Sequence, residues 1–339
     1  MQRVTMTHHS HDSATLEGHL QKYQRFMEIL RGLSPNTSGS YIPKIREFYS
    51  FLERQGGSCN ILRFSREDVE AFLEHLFYKG NNNRTRATKL TALRRWSRFL
   101  CYERLIAQDP TVEIPSPKVG RRFPQILTKH EILRLLAAIN PDTEKGLRNL
   151  VVFILAAFCG LRISEIVNLN VNDIAEREDN PGQGGLNVQI EDSKHHNSRI
   201  VTLWKVPSGY VRQLVGLRSA QGAKGSDPLI LTYTKSGRRC TGHRVSSETL
   251  SFGLKRYAGL AGIKRRVHFH MLRAAHATSL RSIQNYDLPS IASRLGHKSV
   301  ETTARFYLAS WDRVSKRYPS LASYWREFGP SLWNHSKLE

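Results

Sequence analysis

Residues 150–165 read Leu150-Val-Val-Phe-Ile-Leu-Ala-Ala-Phe-Cys159-Gly160-Leu161-Arg162-Ile-Ser-Glu165, an apolar run that stops at a glycine and meets an arginine with a carboxylate three positions on. The run is far shorter than the roughly 20 residues a bilayer-spanning helix needs, so it reads as a helix buried in a protein core, with Gly160 past its end. The pattern predicts a helix over about 144–158. Glu165 lies one turn from Arg162, close enough to orient it; taken alone, the pair is an ordinary helix-end ion pair.

Working outward, Thr128 caps a helix over Glu131 to Ile139, and helical periodicity returns at 210–217, 247–261, 272–281, 288–295 and 301–308. Between them, Leu186 to Ile190 and Arg199 to Leu203 alternate as strands around the polar turn Ser193 to Ser198. This half of the chain is therefore mostly α with a small sheet. Toward the N-terminus, the apolar positions Leu20, Tyr23, Phe26, Met27 and Leu30 predict a helix from Leu16 to Leu33. A second carries Tyr41, Ile45, Phe48 and Leu52, and Pro43 makes it start late or kink. A third follows a cap at Ser65, and a fourth follows Asn81-Asn82-Asn83. Residues 109–124 hold four prolines and no helical period, which predicts an extended linker. The organisation read from these patterns is a flexible lead at 1–14, a helical domain at 15–108, the linker, a larger domain at 125–311 and a tail at 312–339.

Composition narrows the partners. The 339 residues carry 51 Lys and Arg against 29 Asp and Glu, a formal charge of +22. So large an excess points to a polyanion, nucleic acid first, with a merely soluble basic surface as the plain alternative. Arg84, Arg86, Lys89, Arg94, Arg95 and Arg98 crowd the fourth helix, and with Arg121 and Arg122 they are the candidate contacts to DNA phosphates. The first residues lack the apolar core of a secretory signal, and the four scattered cysteines form no CxxC pair. They read as reduced, buried residues of a cytoplasmic protein with no membrane partner.

Three further segments carry polar groups that can serve chemistry. Lys194 sits in the turn between the strands, five residues before Arg199; His270-Met-Leu-Arg273 places imidazole and guanidinium on one helical face; and Leu295-Gly-His297 precedes Thr302-Thr303-Ala-Arg-Phe306-Tyr307. With Arg162 they supply two arginines, two histidines and a lysine. That set suits a phosphodiester: guanidinium forks hold non-bridging oxygens, and Lys and His move protons at the attacking and leaving oxygens.

Gly160-Leu-Arg-Ile-Ser-Glu165, Lys194 with Arg199, His270-x-x-Arg273 and Leu295-Gly-His297, in this order, resemble the signature boxes of the tyrosine site-specific recombinases, which include phage integrases and Xer-type recombinases. The resemblance spans about Leu16 to Leu308. It implies a four-helix core-binding domain, an α-rich catalytic domain, and site-specific cutting and rejoining of DNA through a 3′-phosphotyrosyl link without ATP, metal or other cofactor. By it, Arg162 and Arg273 clamp the scissile phosphate, Lys194 protonates the leaving 5′ oxygen, His270 is general base or acid, and His297 hydrogen-bonds the phosphate. It further implies a C-shaped clamp on double-stranded DNA. A homo-tetramer would join two recombination sites, a dimer on each, with the tail a candidate for docking on a neighbouring subunit or folding back on its own domain.

Two positions depart from the pattern. The family's nucleophile usually lies nine residues after the Leu-Gly-His histidine, where this chain has Phe306; Tyr307 follows. Either a tyrosine is replaced at 306, or Tyr307 supplies the hydroxyl from a shifted helix, since neighbours on a helix point about 100° apart. Ala274 stands where the family often has a second histidine, and His276 is not expected to replace it. The rival readings are a DNA-binding protein of this fold without cleavage activity, which Phe306 favours, a type IB-like topoisomerase, and a metalloenzyme using His268, His270, His276 and His297. The last requires His268 and His270 on a strand and has no nearby carboxylate or thiolate to complete the set.

Overall fold

A computed structural model of the chain describes residues 15–56, 63–120, 125–177, 184–192, 197–234, 240–284 and 286–296. The described chain divides into two compact units, Met1–Arg121 and Arg122–Glu339.

The first unit holds α1 (Leu16–Arg25), α2 (Pro35–Arg54), α3 (Arg66–Tyr78) and α4 (Asn83–Tyr102). The hydroxyl of Thr15 caps α1, Ser65 and Asp68 form a capping box on α3, and Asn82 caps α4. The predicted first helix changes to a π-helical turn at Phe26–Leu30. Contrary to a late start, α2 begins at Pro35 and carries Pro43 inside it. Pro43 removes one hydrogen bond and crowds the carbonyl four residues back, which belongs to Gly39. The core is aromatic: the Trp96 indole donates to the Tyr49 hydroxyl at 3.0 Å, and Tyr23, Trp96 and Phe99 pack ring against ring. The segment after α4 does not run extended from its start. Residues 110–113 turn, Asp109 Oδ1 accepts the amide and hydroxyl of Thr111, and Ile114 enters the core at 3% exposure. Arg94 then donates to Ser116 Oγ at 2.7 Å and to the Ile114 carbonyl, tying this segment to α4.

The second unit is built around α6 (Glu144–Phe158), buried along almost its whole length; from Leu150 to Phe158 it is apolar on every face. Around it lie α5 (Lys129–Ala137), α7 (Ile163–Asn168), α8 (Lys205–Ala220), α9 (Ser247–Leu260), α10 (Phe269–Gln284) and α11 (Leu288–Leu295). An antiparallel sheet, β1 (Ile174–Glu176), β2 (Leu186–Asp192) and β3 (Asn197–Leu203), pairs Leu186 with Leu203, Val188 with Val201 and Ile190 with Arg199. A second hairpin, β4 (Leu231–Tyr233) and β5 (Cys240–Arg244), was not legible in the sequence, nor was β1. Among the described cysteines Cys159 is buried, but Cys101 and Cys240 are only half-buried, which corrects the expectation of burial for them. Among the described residues, no helix is long and apolar enough to cross a membrane.

Candidate active site

The end of α6 places the first arginine. Gly160 takes φ +64°, and a Cβ there would lie 2.6 Å from His276 Cδ2 and 2.9 Å from a Leu295 methyl. Only glycine lets the chain turn so tightly over α10 and α11. Two residues on, Arg162 becomes the N-cap of α7, and the Glu165 carboxylate reaches back to its amide at 2.8 Å. The same carboxylate accepts Arg162 Nη1 at 2.6 Å, so the orientation expected of this pair is present. At its other end α7 is held by Arg244 of β5, which donates to the carbonyls of Val167 and Leu169 at 2.6 and 3.0 Å.

Glu165 gathers more than Arg162. It accepts Arg199 Nη2 at 2.8 Å and lies 3.7 Å from Arg273 Nη1. Burial alone would raise its carboxyl pKa. The hydrogen bond and charge of Arg199, with the amide and charge of Arg162, outweigh that and hold it below the ordinary 4.5. Three guanidiniums therefore share one carboxylate, leaving a local positive excess.

The arginines also converge on the C-terminal end of α11. Arg199 Nε donates to the Arg294 carbonyl at 3.0 Å, Arg273 Nη2 to the Leu295 carbonyl and Arg162 Nη2 to the Gly296 carbonyl at 2.8 Å. These are helix-end carbonyls without intrahelical partners, and the negative end of the helix dipole favours cations there. Arg273, 3% exposed, completes its hold by donating to the Gly160 carbonyl at 2.7 Å. Gly296 is left-handed at φ +62°, and a Cβ on it would come 2.7 Å from Arg199 Nη1.

His270 lies in the first turn of α10, three residues before Arg273, and not on a strand. This corrects the geometry that the metal reading required; His268 falls just before the helix, the two rings 6.4 Å apart. Partial burial lowers the His270 pKa, and the charges of Arg273, His268 and Arg162 lower it further. At neutral pH the ring is uncharged and able to accept a proton. His276 is pushed down to about 3, by burial first and then by Arg273 and Arg294, against an opposing hydrogen bond with the Ala157 backbone. It is a packing residue beneath Gly160.

Of the residues singled out in the sequence, the structure thus brings Arg162, Arg273 and His270 together. Lys194, His297, Phe306, Tyr307, Arg121 and Arg122 lie outside the described residues. Arg199 is the site residue whose part sequence reasoning missed. Its signal was phase: it alternates with the buried Val201 and Leu203, while Ile200 is exposed.

In the first unit the six basic residues of α4 differ in how they are engaged. Lys89 donates to Glu47 at 2.7 Å with its side chain only 12% exposed, Arg94 is bonded as above, and Arg86 donates to Asn83 and stacks over Phe77. Arg95 lies over the Tyr41 ring. Arg84 is exposed, and Arg98 is 75% exposed, with Asp109 4.0 Å away.

The sequence profile of the Phage integrase family matches residues 125–313, and that of its N-terminal SAM-like domain matches residues 20–104. The chain belongs to the phage integrase family of tyrosine recombinases. Tyrosine recombinase XerD of Pseudomonas aeruginosa is 30% identical over 286 residues, covering 82% of this chain and 89% of its own length. Among solved structures, the recombinase XerH bound to palindromic difH substrate in a post-cleavage complex superposes with a TM-score of 0.65 at 18% identity. That match covers 91% of this chain and 85% of XerH. A lambda integrase tetramer bound to a Holliday junction gives 0.59 at 20% identity, covering 86% of this chain and 79% of its own. These two likenesses establish the integrase fold of the chain.

Proposed function

We propose that this integrase-family chain cuts and rejoins DNA at specific sites through a tyrosyl bond to the 3′ phosphate, with Arg162 and Arg273 as the ligands of the scissile phosphate. The observation that carries the reading is the sharing of one carboxylate, Glu165, by three guanidiniums. A dianionic phosphorane, the species passed through when a hydroxyl attacks a phosphodiester, gains most from such a fixed positive excess. His270, uncharged at neutral pH, takes the proton of the attacking hydroxyl. The tyrosyl O–P bond forms, the P–O5′ bond breaks, and Lys194 delivers the proton that makes the 5′ hydroxyl; rejoining runs these steps backwards. His297, next in sequence after Gly296, hydrogen-bonds a phosphate oxygen. The ester is exchanged and not hydrolysed, so no ATP is consumed.

Basic residues of α4, with Arg121 and Arg122, hold the duplex without reading it. Both parts of the chain, 15–108 and 125–311, bind the same duplex. Four strands must be cut for exchange, which calls for a tetramer on two sites, with 312–339 docking on a neighbouring subunit; a lambda integrase tetramer bound to a Holliday junction has this subunit number. Such a protein works in the cytoplasm, on the nucleoid.

Phe306 favours a second reading, a DNA-binding protein of this fold that does not cleave, because a phenyl ring has no oxygen to attack with. Nicked suicide substrates separate the two. We expect Phe306→Tyr to be captured covalently on DNA and Tyr307→Phe to leave the behaviour of the chain as it was. Capture by the unaltered chain, lost in Tyr307→Phe, would move the nucleophile to Tyr307. Absence of capture in every variant, with the duplex still bound, would leave the non-cleaving reading.

A further inference from the structure

Arg199 is the arginine on Glu165 that the reading above does not place on the phosphate, and its setting on the sheet is unusual for a charge. The register of β3 turns it to the same face as Val201 and Leu203, both at 5% exposure or less, so a charge points where the sheet otherwise buries apolar side chains. Such a placement is costly unless every donor has a partner. Two of its three nitrogens are engaged: Nη2 donates to Glu165 and Nε to the carbonyl of Arg294. The third nitrogen faces Gly296, whose missing side chain makes the room.

We infer that Arg199 is a positioning residue, which locks the Glu165 carboxylate and the C-terminal cap of α11 in one geometry and so fixes Arg162 and the point where the chain continues into His297. The chain of contacts is short. Glu165 Oε1 accepts the Arg162 guanidinium, while Oε2 accepts Arg199 beside the Arg162 amide, so loss of Arg199 removes one of the two hydrogen bonds on Oε2 and loosens the carboxylate that orients Arg162. At the same time the Arg294 carbonyl loses its donor, while the Leu295 and Gly296 carbonyls keep theirs from Arg273 and Arg162. The end of α11 is then held at two points and not three. From β3, one side chain thus ties together α7 and the end of α11, the two elements that present Arg162 and its neighbours. A lysine at this position can reach the carboxylate or the carbonyl but cannot fork between them.

This inference rests on the reading of Arg162 and Arg273 as phosphate ligands, and its test separates the two. The full chain with 13C-labelled glutamate is titrated by NMR, the Glu165 signal being identified by its loss in Glu165→Gln. Alongside, duplex affinity and strand cleavage are measured for Arg199→Ala and Arg199→Lys in the chain with Phe306→Tyr. We expect Arg199→Ala to raise the titration midpoint of Glu165. Cleavage should slow by roughly 100-fold, the scale of a small misplacement of reacting groups, with duplex affinity within about threefold, as only phosphate-facing charges outside the cluster set it. Arg199→Lys should recover part of both. An unmoved Glu165 midpoint in Arg199→Ala, or cleavage and affinity falling together, would overturn the inference. If no variant cleaves DNA, the recombinase reading fails, and the Glu165 midpoint still decides whether Arg199 positions that carboxylate.

Discussion

Arg199 Nη2 meets Glu165 Oε2 at 2.8 Å across 34 positions of sequence, joining β3 to the first turn of α7. Through that contact the carboxylate that orients Arg162 is itself oriented, and burial of both side chains, at 15% and 12% exposure, keeps the pair out of competition with water.

Removing the carboxylate's charge should therefore cost stability as well as geometry. Glu165→Gln leaves Arg273, Arg199 and Arg162 without their shared counter-charge, and the expected loss is about 3 kcal/mol in denaturant unfolding, the scale for breaking a buried pair. The pH dependence follows from the lowered pKa. The Glu165 contribution is fully present above the ordinary 4.5 and disappears as pH falls through the lower folded value. The Gln variant should lack that acid limb.

His276 gives a second, separate pH signature. Its pKa falls from the ordinary 6.5 to about 3 on folding, so the unfolded chain binds a proton that the folded chain refuses. Stability is full above 6.5 and should decline below it, by at most about 1.4 kcal/mol per pH unit, until the folded value is reached. Unfolding of His276→Gln measured from neutral pH to about 4 should lose this slope; an unchanged slope would place the titration elsewhere.

The two site glycines should tolerate a methyl group differently from surface glycines. Gly160→Ala combines left-handed backbone, about 1 to 2 kcal/mol, with contact against the His276 ring and Leu295, about 1 to 3 kcal/mol more. Gly222→Ala has the same backbone penalty but open space, so its melting temperature should fall by distinctly less.

The basic residues of α4 should separate in a salt series. Arg98→Ala is expected to lower the slope of log affinity against log salt by about 1, the loss of one phosphate contact. Lys89→Ala should leave that slope unchanged and lower unfolding stability, because its ammonium is already held by Glu47. Equal effects of the two on the slope would show that Lys89 leaves Glu47 for DNA.

Much of the fold could be read from the sequence where local signals agree. The bounds of α6 were legible from an apolar run that stops at Gly160, and α11 from its helical period over 288–295; the caps at Thr143 and Asp287 are what the structure adds. The start of α10 did not follow, because Val267-His268-Phe269-His270 alternates like a strand, and tertiary packing of Phe269 against Phe153 decides otherwise. The strands β1 and β4 are three residues each, too short to carry a period. Within the site, the Arg162–Glu165 pair was legible because it is local. The part played by Arg199 was not, since it depends on sheet register and on a helix end 95 positions away.

The central claim is that the arginines gathered on Glu165 act on the scissile phosphate and not as general DNA anchors. Its most direct test is suicide-substrate capture, alongside duplex affinity, for Arg162→Ala and Arg273→Ala in the chain with Phe306→Tyr. We predict that each loses covalent capture by at least roughly 100-fold, the scale of removing a transition-state charge contact, while duplex affinity changes little. Capture at the parent rate in either variant, or loss of all DNA binding in both, would contradict the account.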